Sequence, residues 1–169
     1  MRRIILLALA ATSLLLNGCT VKYSLSGASI PPDAKTFSVA YFPNNAALVT
    51  PILSATLTDE LTQRFASRTR LAQVAEAGDF AFDGEIVGYT STTSSVSSGD
   101  YALQNRLTIT VRVNFTNAVD EKASFKGRSF SAYADYDSTK LLTEVESVLV
   151  PEIVEQIVTD IFQAAASNW

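Results

Sequence analysis

Residues Asn105–Asn117 read NRLTITVRVNFTN. Leu107, Ile109, Val111, Val113 and Phe115 alternate with Thr108, Thr110, Arg112, Asn114 and Thr116. Successive side chains of a strand point to opposite faces, so the segment is a strand with one apolar face to bury and one polar face. A strand of this kind belongs to a sheet covered on one side only.

The neighbouring segments extend the same pattern. Asn117–Lys122 turns the chain, and Ser124–Tyr133 returns as a second strand. Simple alternation puts Phe125, Ser131 and Tyr133 on one of its sides and Lys126, Arg128 and Phe130 on the other. Upstream, Asp79–Tyr89 is a strand with Phe80, Phe82 and Ile86 inward, and Gly84 and Gly88 mark a bulge or a close approach. Between them Thr90–Gln104, TSTTSSVSSGDYALQ, is polar and Ser/Thr-rich and reads as a long hairpin loop. Thr36–Phe42 alternates as a strand, and Arg70–Val74 is a shorter one.

Two segments change period. Leu53, Leu57, Leu61 and Phe65 recur every fourth residue across Pro51–Ser67, an apolar helical stripe with Pro51 in its first turn. Leu142, Val145 and Leu149 begin a C-terminal helix that Ser138 or Thr139 can cap. Pro151 is expected to break or kink it, after which Ile153, Val154, Ile157, Val158, Ile161 and Phe162 continue the helical spacing to about Ala166. The order β, α, β, β, β, β, α predicts an α+β two-layer sandwich. Its mostly antiparallel four- to five-stranded sheet is covered on one face by two amphipathic helices.

Composition limits the chemistry. The chain of 169 residues has one Cys and no His, with a net charge of −4. There is no intrachain disulfide, no Ser-His-Asp or Cys-His machinery, and no ordinary zinc or haem ligand set. No catalytic residue, metal or cofactor is expected, and the acidic balance argues against general nucleic-acid binding. The carboxylate pairs Asp59–Glu60 and Glu152–Glu155 lie on polar helix faces and read as solvated surface.

The start of the chain is MRRIILLALAATSLLLNGC. Arg2 and Arg3 precede an apolar run from Ile4 to Leu16, too short to span a bilayer and suited to a signal-peptide core. Leu16, Asn17, Gly18 and Cys19 resemble a bacterial lipobox. That resemblance implies a lipoprotein signal peptide over 1–18, cleaved after Gly18, with acyl chains on Cys19. Two or more chains on one residue would hold the protein firmly at a membrane. Residue 20 is Thr, not the acidic residue that marks inner-membrane retention, so the outer membrane is the expected destination. Residues 19–35, ending near Pro31-Pro32, are read as a lipidated tether, and 36–169 as a single domain.

Several segments together resemble a known family: SGASIPPDAKTFSVAYFPNNA (Ser26–Ala46), LTDEL (Leu57–Leu61), GEIVGY (Gly84–Tyr89), the Asn105–Asn117 strand, and FSAYADYDS (Phe130–Ser138). With the lipobox, the whole looks like a divergent branch of the LptE lipopolysaccharide-assembly lipoproteins. The resemblance implies an outer-membrane lipoprotein on the periplasmic face. It would plug the lumen of an LptD-type β-barrel translocon, assist its assembly and contact lipopolysaccharide without catalysis. The alternative reading is a free-standing envelope lipoprotein, a small-ligand carrier or a module of another assembly.

An anionic lipid wants cations beside apolar surface. Arg106, Arg112, Lys126 and Arg128 fall on or beside two adjacent strands. Arg112, Lys126 and Arg128 are the candidate anion contacts, the alternative being a solvated face whose Lys protects an edge. Tyr133, Asp135 and Tyr136 form either a partner surface or a strand end. The Thr90–Gln104 loop either reaches into a barrel or is idle.

Overall fold

The computed structural model describes residues 30–48, 50–94 and 104–166. The signal peptide, Cys19, most of the tether and the centre of the hairpin loop lie outside these residues. The elements are β1 (Thr36–Val39), α1 (Pro51–Arg68), β2 (Ala72–Gln73), β3 (Phe80–Ser94), β4 (Gln104–Asn117), a short 3-10 turn (Glu121–Ala123), β5 (Phe125–Asp137) and α2 (Leu142–Ala166).

The five strands form one sheet in the order β2-β1-β3-β4-β5. β3, β4 and β5 are an antiparallel meander, as the alternation suggested. β1 is parallel to both of its neighbours. The sheet is therefore mixed, which corrects the expectation of a mostly antiparallel one. The physical reason is the helix: α1 carries the chain from β1 back to the starting end, so β2 must run in the same direction as β1.

Hydrophobic burial fixes the layers. Leu53, Leu57, Leu61 and Phe65 of α1 are all fully buried, as are Leu107, Ile109, Val111 and Val113 of β4. Phe65 sits at the junction of the layers, 5.9 Å from Phe37, 4.6 Å from Phe82 and 5.0 Å from Phe162 (ring centroids). Phe82 stacks on Phe115 at 4.8 Å, so aromatic contact runs from both helices into the sheet. Farther along, the Tyr89 hydroxyl donates to Glu146 Oε2 at 2.8 Å and ties the start of α2 to β3. Burial, then this hydrogen bond, raises the Tyr89 pKa.

Three local readings change. First, β1 ends at Val39, but the chain keeps alongside β3: Ala40 N donates to Phe82 O, and Ile86 N donates to Pro43 O. Second, α2 is continuous through Pro151. Pro151 and Ser147 are both exposed, so water can satisfy the Ser147 carbonyl that loses its helical partner. Third, Thr90–Ser94 are strand residues paired with Gln104–Thr108, so the hairpin is longer and its loop shorter than the Ser/Thr composition suggested.

The end of the tether is held by the domain. Ala34 is fully buried, and Arg70 Nη2 donates to the carbonyls of Ile30 and Pro31 at 3.2 and 2.7 Å. Asp79 Oδ2 accepts from Lys35 N, Thr36 N and Thr36 Oγ1 at 2.8, 2.9 and 3.0 Å. The backbone donors of Lys35 and Thr36, then the Thr36 hydroxyl, hold the Asp79 pKa below its ordinary value.

Candidate binding face

The side of the sheet away from the helices is uncovered by any described element. β4 presents Arg106, Thr108, Thr110, Arg112, Asn114 and Thr116 there, and its partners complete polar rungs. Thr90, Thr108 and Tyr133 form one rung, and Thr92, Arg106 and Asp135 the next. Glu85, Arg112 and Ser129 form a third. Ser131 and Thr110 face each other with hydroxyl oxygens 3.0 Å apart.

Every arginine on this face is matched. Arg106 donates to Asp135 through Nε at 2.7 Å and Nη2 at 2.9 Å, a two-pronged pair. Its guanidinium also lies 3.7 Å from the Tyr133 ring centroid, while half of Tyr133 stays exposed. The hydrogen bond to Arg106 lowers the Asp135 pKa, and the same bond raises that of Arg106. Arg112 Nη1 donates to Glu85 Oε1 at 3.0 Å, and Asn45 Nδ2 donates to Glu85 Oε2 at 2.7 Å. Pro43, Asp83, Gly84, Glu85, Arg112 and Asn114 line an open polar recess of about 250 Å³.

The structure does not gather the three candidate anion contacts. Arg112 is on the outer face, opposite Ser129. Arg128 is opposite Val113, in phase with the buried Phe130, Ala132 and Ala134, so it lies on the rim of the helix side. There its guanidinium carbon is 5.4 Å from the Phe125 ring and 5.2 Å from the Phe130 ring. Lys126 is exposed beside Gly127, whose φ of 62° accompanies a register shift in the pairing with β4. That bulge adds one residue to β5 and reverses the alternation beyond it. Phe125 and Phe130 consequently share the core side, which the simple alternation had put on opposite sides. Among the described residues no carboxylate pairs with Lys126 or Arg128.

The Phe130–Ser138 segment divides between the two faces. Tyr133 and Asp135 are outward, while Tyr136 is buried with its hydroxyl 2.7 Å from Ser91 Oγ. Asp137 accepts from the Thr139 backbone and hydroxyl in a turn ahead of α2, and the Thr139 hydroxyl, then its backbone N–H, lowers the Asp137 pKa. Glu144 accepts from Leu141 N at the start of the helix itself. The Arg106–Asp135–Tyr133 cluster was only half legible: both strands carry the residue types, but pairing them needs the register.

Among the described residues there is no group of three or more potential metal ligands, and no helix is long and apolar enough to cross a membrane. A family model described as LptE, lipopolysaccharide-assembly, matches residues 34–165. The chain belongs to the LptE family. No curated protein matches it. Among solved structures it is similar to a hypothetical protein of Chlamydia trachomatis, with 10% identity and a TM-score of 0.52, covering 80% of this chain and 99% of that one. It is also similar to the rare lipoprotein B of Shewanella oneidensis, at 17% identity and a TM-score of 0.46, covering 75% and 92%. A minor lipoprotein of Acinetobacter baumannii shares 15% identity at a TM-score of 0.43, covering 77% and 91%. Membership of the LptE family supports a lipoprotein of lipopolysaccharide assembly. The match starts at Ala34, which is fully buried.

Proposed function

We propose that this LptE-family chain is an outer-membrane lipoprotein that plugs and supports an LptD-type β-barrel during lipopolysaccharide assembly. The uncovered outer sheet face carries the reading beyond family membership. It is dense in Thr, Ser and Tyr hydroxyls, and its two arginines are already neutralised by Asp135 and Glu85. A face of this kind suits the polar, hydrogen-bonding interior of a wide β-barrel better than it suits lipid tails or nucleic acid. The protein acts by binding and positioning, with no catalytic step.

In this reading residues 1–18 are the cleaved signal peptide and acylated Cys19 is the anchor on the periplasmic side. The domain holds the chain from Ile30, which packs against the core, and residues 20–29 span the gap. Ten residues separate Cys19 from Ile30, and the eleven steps of extended chain between the two reach roughly 35 Å. Lipopolysaccharide contact falls first to Lys126 and Arg128, which pair with no described carboxylate, Arg128 lying beside the apolar Phe125 and Phe130 rings. Arg112 joins them only where a ligand phosphate displaces Glu85.

The test is a pull-down of the tagged full-length protein from detergent-solubilised outer membrane, with bound proteins identified by mass spectrometry. Stoichiometric recovery of a large β-barrel is expected. Recovery of the lipoprotein alone, under conditions that keep other barrel complexes intact, overturns the reading.

A further inference from the structure

β5 closes the sheet on one side and β2 on the other. β2 has two residues, whereas β5 has 13. A long edge strand offers a row of unpaired N–H and C=O groups, and natural proteins blunt such edges with charge, proline or bulges. β5 is blunted only at its ends. Lys126, the Gly127 bulge and Arg128 guard the beginning, and Asp135 and Asp137 guard the end. Ser129–Ala134 between them, SFSAYA, has neither charge nor proline. The inner residues of this strand are also incompletely covered. Phe130, Ala132, Ala134 and Tyr136 keep 6–8% exposure, against 0–1% for Leu107, Ile109, Val111, Val113 and Phe115 on β4.

The geometry points to a second copy of this chain as the occupant, its β5 pairing antiparallel with the first. The charge layout of the strand selects that partner. A two-fold axis through Ala132, normal to the sheet, brings the Lys126 beginning of each β5 to the Asp137 end of the other and leaves Ser131 and Tyr133 each about 8 Å from its counterpart. The same operation keeps inner residues opposite inner ones and outer opposite outer, as antiparallel pairing requires. Large side chains then face small ones: Phe130 meets Ala134, and Tyr133 meets Ser131. The result is one continuous sheet with the helices of both copies on the same side. A single strand pair is smaller than the roughly 1,200–2,000 Å² of a stable complex, so the contact is reversible and favoured where the chain is concentrated. A chain seated in a barrel lumen cannot make this contact, so the pairing belongs to copies outside the barrel and its test does not depend on barrel recovery.

The test uses the full-length chain in intact cell envelopes treated with a short bis-maleimide. Ser131→Cys and Tyr133→Cys, both exposed outer-face positions on the edge, are the reporters. Thr110→Cys, on the same face one strand inward, lies about three strand spacings from its counterpart, roughly 14 Å, beyond the reach of the linker. Unsubstituted protein reports any contribution of Cys19. Dimer from the two edge reporters but not from Thr110→Cys, lost when Ser131→Lys is added to the Tyr133→Cys chain, is the expected result. No dimer, or equal dimer from Thr110→Cys, overturns the proposal. Capture of a different protein by the edge reporters also overturns it, since the edge then takes a partner's strand. Barrel recovery in the pull-down is scored separately and does not depend on any of these outcomes.

Discussion

The two faces of this sheet are built from the same three strands and do opposite work. On the inner face Phe82, Ile86, Leu107, Ile109, Val111, Val113 and Phe115 are buried essentially completely under two helices. On the outer face Thr90, Thr92, Arg112, Ser129, Ser131, Tyr133 and Asp135 are exposed, and the charged groups satisfy one another across the strands. The inner face decides whether the chain folds. The outer face adds little to that, because exposed ion pairs contribute on the order of 1 kcal/mol or less. Keeping it β-forming and hydroxyl-rich rather than heavily charged makes sense as preparation for a polar counter-surface.

The difference can be broken hardest at Phe65, where the helix layer meets the sheet. Phe65→Ala removes contacts to Phe37, Phe82 and Phe162 at once. The expected loss is about 3–5 kcal/mol, read from urea unfolding. A loss below about 1 kcal/mol would mean that the two layers are not one core.

Gly84 is the next largest. It is opposite Val113 on the inner side, and a Cβ there would collide with the Arg112 carbonyl and come within 2.7 Å of Phe42 Cε1. The backbone carbonyl cannot move without disturbing the β3–β4 ladder, so Gly84→Ala should cost about 1–3 kcal/mol. Gly127→Ala is the control on the outer edge. Its Cβ would meet nothing within 4 Å, and only the cost of the positive φ remains, about 1 kcal/mol. Unfolding curves that rank Gly127→Ala as the worse variant would contradict this account.

How much of this was legible follows from what alternation records. It records which face a residue is on, and so β4, the apolar stripe of α1 and most of the core could be read directly. It does not record which strand lies alongside, and so the parallel placement of β1 was not visible. It also fails wherever a residue is added: K-G-R at 126–128 hid the bulge that carries Arg128 away from Arg112, although a glycine within a strand is itself a hint. Thr90–Ser94 read as loop because a strand segment beyond the helices has no apolar face to show. The outer face was legible as composition, but its pairs, Arg106 with Asp135 and Arg112 with Glu85, needed register that only the assembled sheet supplies.

Smaller effects lie at the lower end of β1, where the two faces give way to a charged clamp. Asp79 ionises more readily folded than unfolded, because the donors of Lys35 and Thr36 bind its charged form. A group with a depressed folded pKa contributes stability above its unfolded pKa, here near 3.8, and loses it as pH falls through the lower folded value. Asp79→Asn should therefore lower the melting temperature at pH 7 and flatten its decline below about pH 4. Parallel declines for the two proteins across that acid range would show that the clamp does not contribute.

The smallest effect on stability is expected on the outer face, and it is the sharpest test of the comparison. Thr108 is paired with Thr90 and Tyr133 at the centre of the hydroxyl-rich rungs, half-buried between them. Thr108→Glu adds a charge that no inner residue feels. The folded domain should keep its stability within about 0.5 kcal/mol, as most surface substitutions do. A closely apposed barrel wall would have to desolvate that carboxylate or leave a gap around it, and either weakens the complex. Thr108→Ser keeps the hydroxyl and should leave recovery of the barrel unchanged. Normal unfolding with barrel recovery lost for Thr108→Glu and retained for Thr108→Ser would separate the two faces by function. Undiminished recovery for Thr108→Glu would move the barrel contact elsewhere, to the helices or the strand edge, and leave the outer face as solvated surface.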